Sequence, residues 1–463
     1  MADLHVSINR DQGGIAGQIA AEIRESIRHG RLTPGTRLPA SRDLAADLQV
    51  SRGVVVEAYE QLVAEGFLIS RVGAGTQVAP ISSRSMTDAV PASDPGPVYS
   101  PHYGHRPTSP DLGCFPRERW LASVRHVLTT MPSDVFDYGD PGGVPELRDE
   151  LAGYLRRVRA ADVRADNLVI VGGVAQGISL ALHVLTQGTR GLRLAVEDPN
   201  SHRQVPLLLR AGAELVPVPV DDQGLVVTEL RARGADAVLI TPAHQYPTGV
   251  VLSPARRVAL MEWAAESGGV VLEDDYDAEF RFDRDPVGCL QGLAPARVIL
   301  SGSVSKALAP GLRLGWVAAP AELAESMRQA RGELDLGSPV IDQYALAHFL
   351  RTGGYDKHLR RMRREYRRRR DALVKAVAEH LPEVRVRGIA AGLHAYLDLP
   401  PGSDEDAFVG PARELGLAAD PVGPTRLTPG PPGVVVGFAR LPAHRAAEVI
   451  QGLKVRMSGQ NID

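Results

Sequence analysis

The sequence is almost empty of lysine. Four of its 52 basic residues are lysines (Lys306, Lys357, Lys375 and Lys454), the other 48 are arginines, and the first 305 residues hold no lysine at all. Arginine serves generic cationic tasks, because it stays charged and forks onto carboxylates and phosphates. A lysine embedded in such a chain therefore calls for a reason of its own. Cysteine is equally scarce. Cys114 and Cys289 are too few for a disulfide framework or a thiolate metal cluster, and no metal site is expected. No apolar run reaches the roughly 18 residues of a membrane helix, and nothing resembles a signal peptide, so a cytoplasmic protein without a membrane partner is expected. A dominant charge is missing too, since a net −3 makes no global electrostatic case for nucleic acid.

What remains is a globular composition. With 463 residues, 44% of them hydrophobic, the chain can bury large cores and has length for roughly three folding units.

The first 80 residues read as a small helical unit. Ile15, Ile19, Ile23 and Ile27 recur every four residues, marking an amphipathic helix that ends near Gly30. Ser41 is placed to cap a short helix carrying Leu44, Ala45 and Leu48, and Ser51 to cap a third with Val55, Ala58, Tyr59, Leu62 and Val63 on its apolar face. Phe67–Ser70 and Thr76–Val78, flanking a glycine-bearing turn, predict a hairpin. Three helices and a hairpin make the winged helix-turn-helix plan, in which the third helix enters the major groove by its N-terminal end. Ser51, Arg52 and Gly53 stand there, Arg42 starts the second helix, and Arg71 lies at the wing. Yet residues 1–80 hold eight arginines against nine acids, so a plain helical bundle is an equal reading from periodicity alone.

From about Ala79 to Tyr103 the composition turns to Ser, Pro and Asp, a linker able to span roughly 60–70 Å when extended. Beyond it, apolar runs alternate with helical segments, the α/β pattern. Strands are expected at Leu168–Val171, Leu194–Val196, Ala237–Ile240, Val270–Leu272 and Val298–Leu300, and the last 120 or so residues read as a smaller α+β lobe.

Lys306 follows the last of those strands inside a Ser/Gly-rich turn, Ser301-Gly-Ser-Val-Ser-Lys306. It is either a solvated loop residue or an amine forming a Schiff base with pyridoxal 5′-phosphate, a task that arginine cannot perform. Ser303, Ser305 and Arg313 would supply phosphate ligands. That cofactor also needs an acid beside its pyridine nitrogen. Glu273-Asp274-Asp275-Tyr276 ends a strand, with Asp274 the candidate for the nitrogen and Tyr276 for the phenolic oxygen. Gly172-Gly173-Val174-Ala175 opens a helix whose exposed amides form a further phosphate site.

The stretch Leu32-Thr33-Pro34-Gly35 through Leu38-Pro39-Ala40-Ser41-Arg42, with Val50-Ser51-Arg52, resembles the GntR-type winged-helix signature. The glycine turn, Tyr246-Pro247-Thr248-Gly249, Asp274/Tyr276, Lys306 and Arg313 resemble, in chain order, the layout of fold-type I aminotransferases. Together they resemble the MocR subfamily of GntR-type regulators, from about residue 12 to 455. The resemblance implies an α/β fold in three parts. A winged helix-turn-helix domain (10–78) precedes a linker (79–103) and a fold-type I pyridoxal-phosphate-dependent aminotransferase-like domain (104–458). That domain has a large sheet and a small lobe from about 335. The resemblance also implies a head-to-tail homodimer in which Tyr138 reaches the neighbouring subunit's phosphate, and a double-stranded DNA operator contacted by Arg42, Ser51, Arg52, Gly53 and Arg71.

Two departures bear on chemistry. Tyr246 stands where many aminotransferases have asparagine, and Val435 stands where the substrate-carboxylate arginine is usual. Without that fork an α-carboxylate is poorly oriented, and Arg203, Arg426 and Arg440 are the possible substitutes. The expectation is therefore a regulator that senses pyridoxal phosphate or an amino compound, with vitamin B6 synthesis genes as suitable targets; a catalytic aminotransferase with an accessory DNA-binding domain is the competing reading. Arginines dominate residues 360–370, either a second DNA-facing surface or a solvated helix face.

Overall fold

The structure, a computed structural model, describes residues 6–71, 75–80, 106–187, 191–282 and 287–459. The chain forms two compact units, 1–100 and 101–463. The expected linker lies outside the described residues except for Ala79 and Pro80, as do Val72 and Gly73 of the wing.

The first unit contains α1 (Ile15–Arg28), α2 (Ser41–Asp47), α3 (Arg52–Ala64), β1 (Leu68–Arg71) and β2 (Gly75–Val78). The four-residue spacing of Ile19, Ile23 and Ile27 places them on one face of α1, where they pack with Leu44, Val55, Ala58, Tyr59 and Leu62. β1 and β2 pair antiparallel, Leu68 opposite Val78, with Arg37 bridging to Gln77. Three details differ from expectation. Ala40, extended at φ −62° and ψ 144°, is the N-cap of α2, so Ser41 is already the first helical residue. Ser51 does occupy the N-cap of α3, but its side chain makes no capping bond. Val63 is 38% exposed, because it sits at the margin of the apolar stripe, one residue past Leu62.

The second unit is built on an eight-stranded sheet. Its strands are β3 (Leu168–Val171), β4 (Leu192–Asp198), β5 (Ala213–Asp221), β6 (Gly224–Leu225), β7 (Ala237–Ile240), β8 (Val270–Asp275), β9 (Val298–Ser303) and β10 (Gly315–Ala318), in the order β3-β10-β9-β8-β7-β4-β5-β6. All five expected strands belong to it. The β9-β8-β7-β4-β5 pairings are parallel, while β10 runs antiparallel to both of its neighbours. Helices cover both faces, which is why β3 and β7 are buried at every residue and read as continuous apolar runs rather than alternating ones. Ligands gather at the carboxyl ends of such strands. There β3 leads into Gly172-Gly173, β8 ends at Asp274 and Asp275, and β9 leads into Lys306.

A second sheet holds β11 (Arg385–Arg387), β12 (His394–Asp398), β13 (Ala418–Pro421) and β14 (Gly433–Gly437), antiparallel in the order β11-β12-β14-β13. The arginine run lies on the helix Gly354–His380, which buries Tyr355, Leu359, Met362, Tyr366 and Leu373 and exposes Arg360, Arg361, Arg364, Arg367 and Arg368. Among the described residues no helix is long and apolar enough to cross a membrane.

Candidate functional site: a lysine-bearing cavity and a winged helix

A cavity of about 250 Å³ opens at the carboxyl edge of the large sheet. Lys306, Asp274, Tyr276, Ser303, Ser305, Arg313, Val174 and Ala175 all line it. These residues come from three strand ends, far apart in sequence, so the parallel sheet is what unites them. Arg203, Gln204, Ser201 and Tyr246 complete much of the wall.

Burial acts on both key titratable groups. It pushes the Lys306 amine down to about 8, although Asp277 and Asp274 oppose it, and it pushes the Asp274 carboxyl up to about 7. The Lys306 Nζ donates to Thr108 Oγ1 at 3.3 Å. Gln204 Nε2 donates to Asp274 Oδ2 at 3.1 Å, while the buried Asp274 Oδ1 has no hydrogen-bond partner. Such an oxygen is costly unless something fills it. A protonated ring nitrogen is a group that would do so.

The phosphate end is shaped by backbone. Gly173 stands at φ +116° as the N-cap of the helix Val174–Thr186, and a Cβ there would lie 3.2 Å from both terminal nitrogens of Arg313. Arg313 itself is left-handed at φ +50°, uncommon for a residue with a side chain. Helix amides, a guanidinium and the Ser303 hydroxyl thus converge as an anion cradle. The donor set fits a phosphorylated pyridine aldehyde at each end.

Tyr138 lies outside the cavity of its own chain and is 83% exposed. Val435 is fully buried against Tyr396, Val422 and Tyr246, so no guanidinium occupies that strand position. Of the substitute arginines, Arg203 lines the cavity with its Nη2 3.3 Å from Asp420, which also pairs with Arg413 at 2.8 Å. Arg426 is instead spent on Tyr396 Oη and the Pro431 carbonyl, and Arg440 is at the surface.

In the first unit Arg42, Ser51, Arg52, Gly53 and Arg71 are all exposed. Arg52 Nε donates to Ser41 Oγ at 3.3 Å, tying the start of α3 to the start of α2.

Sequence reasoning missed Thr108, Gln204, Glu197, His244 and Asp277. Glu197 is buried, accepts from the Thr241 amide and hydroxyl, and is pushed up to about 7 by burial. No local pattern marks these residues. Only the fold brings them together, although Asp277 directly follows the acidic stretch that ends at Tyr276.

Fold and site define a class: a winged helix-turn-helix unit fused to an aminotransferase-like unit. Residues 15–78 match the family described as bacterial regulatory proteins, gntR family, and residues 115–429 match aminotransferase class I and II. The pyridoxine biosynthesis transcriptional regulator PdxR of Corynebacterium glutamicum is 35% identical over 86% of each chain. The probable rhizopine catabolism regulatory protein MocR of Rhizobium meliloti is 29% identical, covering 94% of this chain and 92% of that one. An archaeal alanine:glyoxylate aminotransferase superposes with a TM-score of 0.70 at 27% identity, over 77% of this chain and 90% of its own. The chain belongs to the MocR subfamily of GntR-type transcriptional regulators.

Proposed function

We propose that this regulator binds pyridoxal 5′-phosphate in the Lys306 cavity and reads its arrival, or its conversion by an amino compound, as the signal that sets operator binding. The observation that carries the reading is a poised amine, Lys306, sharing a cavity with a partnerless Asp274 oxygen. Lys306 would hold the aldehyde carbon, Asp274 the pyridine nitrogen and Tyr276 the phenolic oxygen. Ser303, Arg313 and the amides of Val174 and Ala175 would hold the phosphate, with Tyr138 contributed to the neighbouring subunit of a head-to-tail homodimer. When bound, the cofactor supplies a carbonyl reactive toward amines and a ring that accepts electron density.

The winged helix would contact double-stranded DNA through Arg42, Ser51, Arg52, Gly53 and Arg71. Linkage sets a strict requirement: the ligand must bind one arrangement of the dimer better than the other, by the same factor that it changes operator affinity. Val435 at the usual carboxylate-arginine position favours sensing of the cofactor over turnover of an amino acid. The name of the Corynebacterium relative supports vitamin B6 synthesis genes as the targets.

Capture of genomic DNA by the full-length protein, with and without pyridoxal phosphate, tests this directly. Operators near vitamin B6 synthesis genes should change in occupancy with the cofactor; identical recovery in both samples would sink the sensing role. The presence of Lys306, Asp274 and Tyr276 in one cavity also favours a second reading, catalysis of transamination. Sustained keto-acid production from a panel of amino donors would establish it.

A further inference from the structure

Beside Tyr276 lies a buried polar cluster that the proposed function leaves unused. His244 Nδ1 is 2.9 Å from Asp277 Oδ2 and 3.1 Å from Tyr276 Oη. The two rings lie 6.2 Å apart and 27° from parallel. His244 and Asp277 are 3% and 1% exposed at the side chain, so water does not compete for these bonds. The backbone is shaped around them. Gly392 is left-handed at φ +70°, and a Cβ there would come within 2.3 Å of His244 Cε1 and 2.5 Å of Asp277 Oδ2.

The hydrogen-bond roles follow from donor chemistry. An ionised carboxylate only accepts, so at 2.9 Å the Asp277 oxygen requires the proton to sit on His244 Nδ1. That N–H also faces the Tyr276 oxygen, which must accept from it and cannot donate back. The phenol oxygen is thereby held from the histidine side, and the Asp277 carboxylate beside it is a second acceptor for the phenol's proton. Burial first, and then the charge of Asp277, hold Tyr276 well above the usual phenol range, so that proton is retained. Tyr276 lines the cavity.

We infer that His244, clamped by Asp277, is a positioning residue that fixes the Tyr276 oxygen where it would meet the cofactor's phenolic oxygen. This inference rests on the cofactor reading above. The nearby His394 completes a trio of possible metal ligands within 4.8 Å of one another. Its Nε2 is 3.3 Å from the Pro247 carbonyl and its Nδ1 has no hydrogen-bond partner, so His394 stands beside the His244–Asp277 pair rather than within it.

The test uses the full-length protein titrated with pyridoxal phosphate, reading the visible absorbance maximum and the dissociation constant, with thermal unfolding of the unliganded protein as a check of folding. Tyr276→Phe and His244→Ala are each expected to displace the maximum in the same direction and to weaken binding about three- to tenfold, the effect of one hydrogen bond. The double variant should be no worse than Tyr276→Phe alone. His244→Asn, whose amide nitrogen can take the place of Nδ1, should restore at least half of the shift. If His244→Ala fails to fold, Asp277→Asn carries the same expectation, since it loosens the ring without vacating its space. A His244→Ala protein with wild-type maximum and affinity, beside a shifted Tyr276→Phe, would overturn the inference and leave the cofactor reading standing. A wild-type protein that develops no visible band would overturn the cofactor reading, and the inference with it.

Discussion

Gln204 holds one oxygen of Asp274 at 3.1 Å and leaves the other without a partner in the wall of the Lys306 cavity. The single restraint fixes the carboxylate's orientation while keeping one acceptor in reserve. Asp274→Asn replaces a charged acceptor with a neutral amide and removes the partner a protonated ring nitrogen needs. Hydrogen bonds to charged groups contribute about 1.5–3 kcal/mol, so pyridoxal phosphate should bind about 10- to 100-fold more weakly. A fluorescence or absorbance titration measures it.

Lys306 makes a prediction with a sign. Burial lowers its amine to about 8. Only the neutral amine attacks a carbonyl, so the rate at which the visible band (roughly 410–430 nm for a lysine Schiff base) forms should climb as pH rises through about 8 and then level off. At pH 7 about one amine in ten is neutral, against fewer than about one in a thousand for an ordinary lysine. Stopped-flow mixing across pH 6–10 would expose a rate still climbing at the top of that range, which contradicts the shifted amine. Lys306→Ala should abolish the band, and Lys306→Arg should do so equally, because the guanidinium keeps its proton throughout this pH range.

The glycine turn can be tested through one atom. A Cβ on Gly173 would stand 3.2 Å from the Arg313 guanidinium, at a φ of +116° that side-chain-bearing residues avoid. Gly173→Ala should therefore weaken cofactor binding through the phosphate end, raising the dissociation constant about tenfold or more, and the strained backbone should cost about 1–3 kcal/mol of stability. Inorganic phosphate competition, weaker in the variant, would locate the loss there.

Much of this was legible in the sequence because the large sheet is buried on both faces. Runs such as Leu168–Val171 and Ala237–Ile240 then need no alternation to be recognised, and residues at their ends inherit a shared edge. Lys306 stood out because arginine fills the other cationic roles in the first 305 residues. What could not be read was support from distant loops. Thr108 touches Lys306 across 198 positions and Gln204 touches Asp274 across 70, contacts that no local period encodes. The start of α2 was misplaced for a smaller reason: Ser41 has the chemistry of a cap, but the extended conformation falls at Ala40, following Pro39.

Arg52 and Arg42 mark the exposed starts of α3 and α2, and Arg52 is braced on Ser41. Arg52→Ala should weaken operator binding by about 1–3 kcal/mol if it reads a base edge, and relax sequence preference at that position. A residue that contacts only phosphate would instead lower the salt slope by about one without changing preference. Binding isotherms at several salt concentrations, on operator and on scrambled DNA, separate the two.

The arginine run divides by burial into two kinds of residue. Arg369, 9% exposed, pairs with Asp111 at 2.9 Å and Glu365 at 2.7 Å and donates to the Ala439 carbonyl. Removing it leaves acids and a carbonyl short of a donor in a partly buried setting, so Arg369→Ala should cost about 2–4 kcal/mol and lower the unfolding temperature measurably. Arg360 and Arg364 are exposed on the same helix, and truncating either should change stability by less than about 0.5 kcal/mol. A solvated face predicts that Arg360→Ala/Arg364→Ala leaves both unfolding temperature and operator affinity unchanged. A second DNA-facing surface predicts wild-type stability with operator affinity reduced and its salt slope shallower by about two. Measuring both quantities on that one double variant decides between them, because only the DNA-facing reading separates affinity from stability.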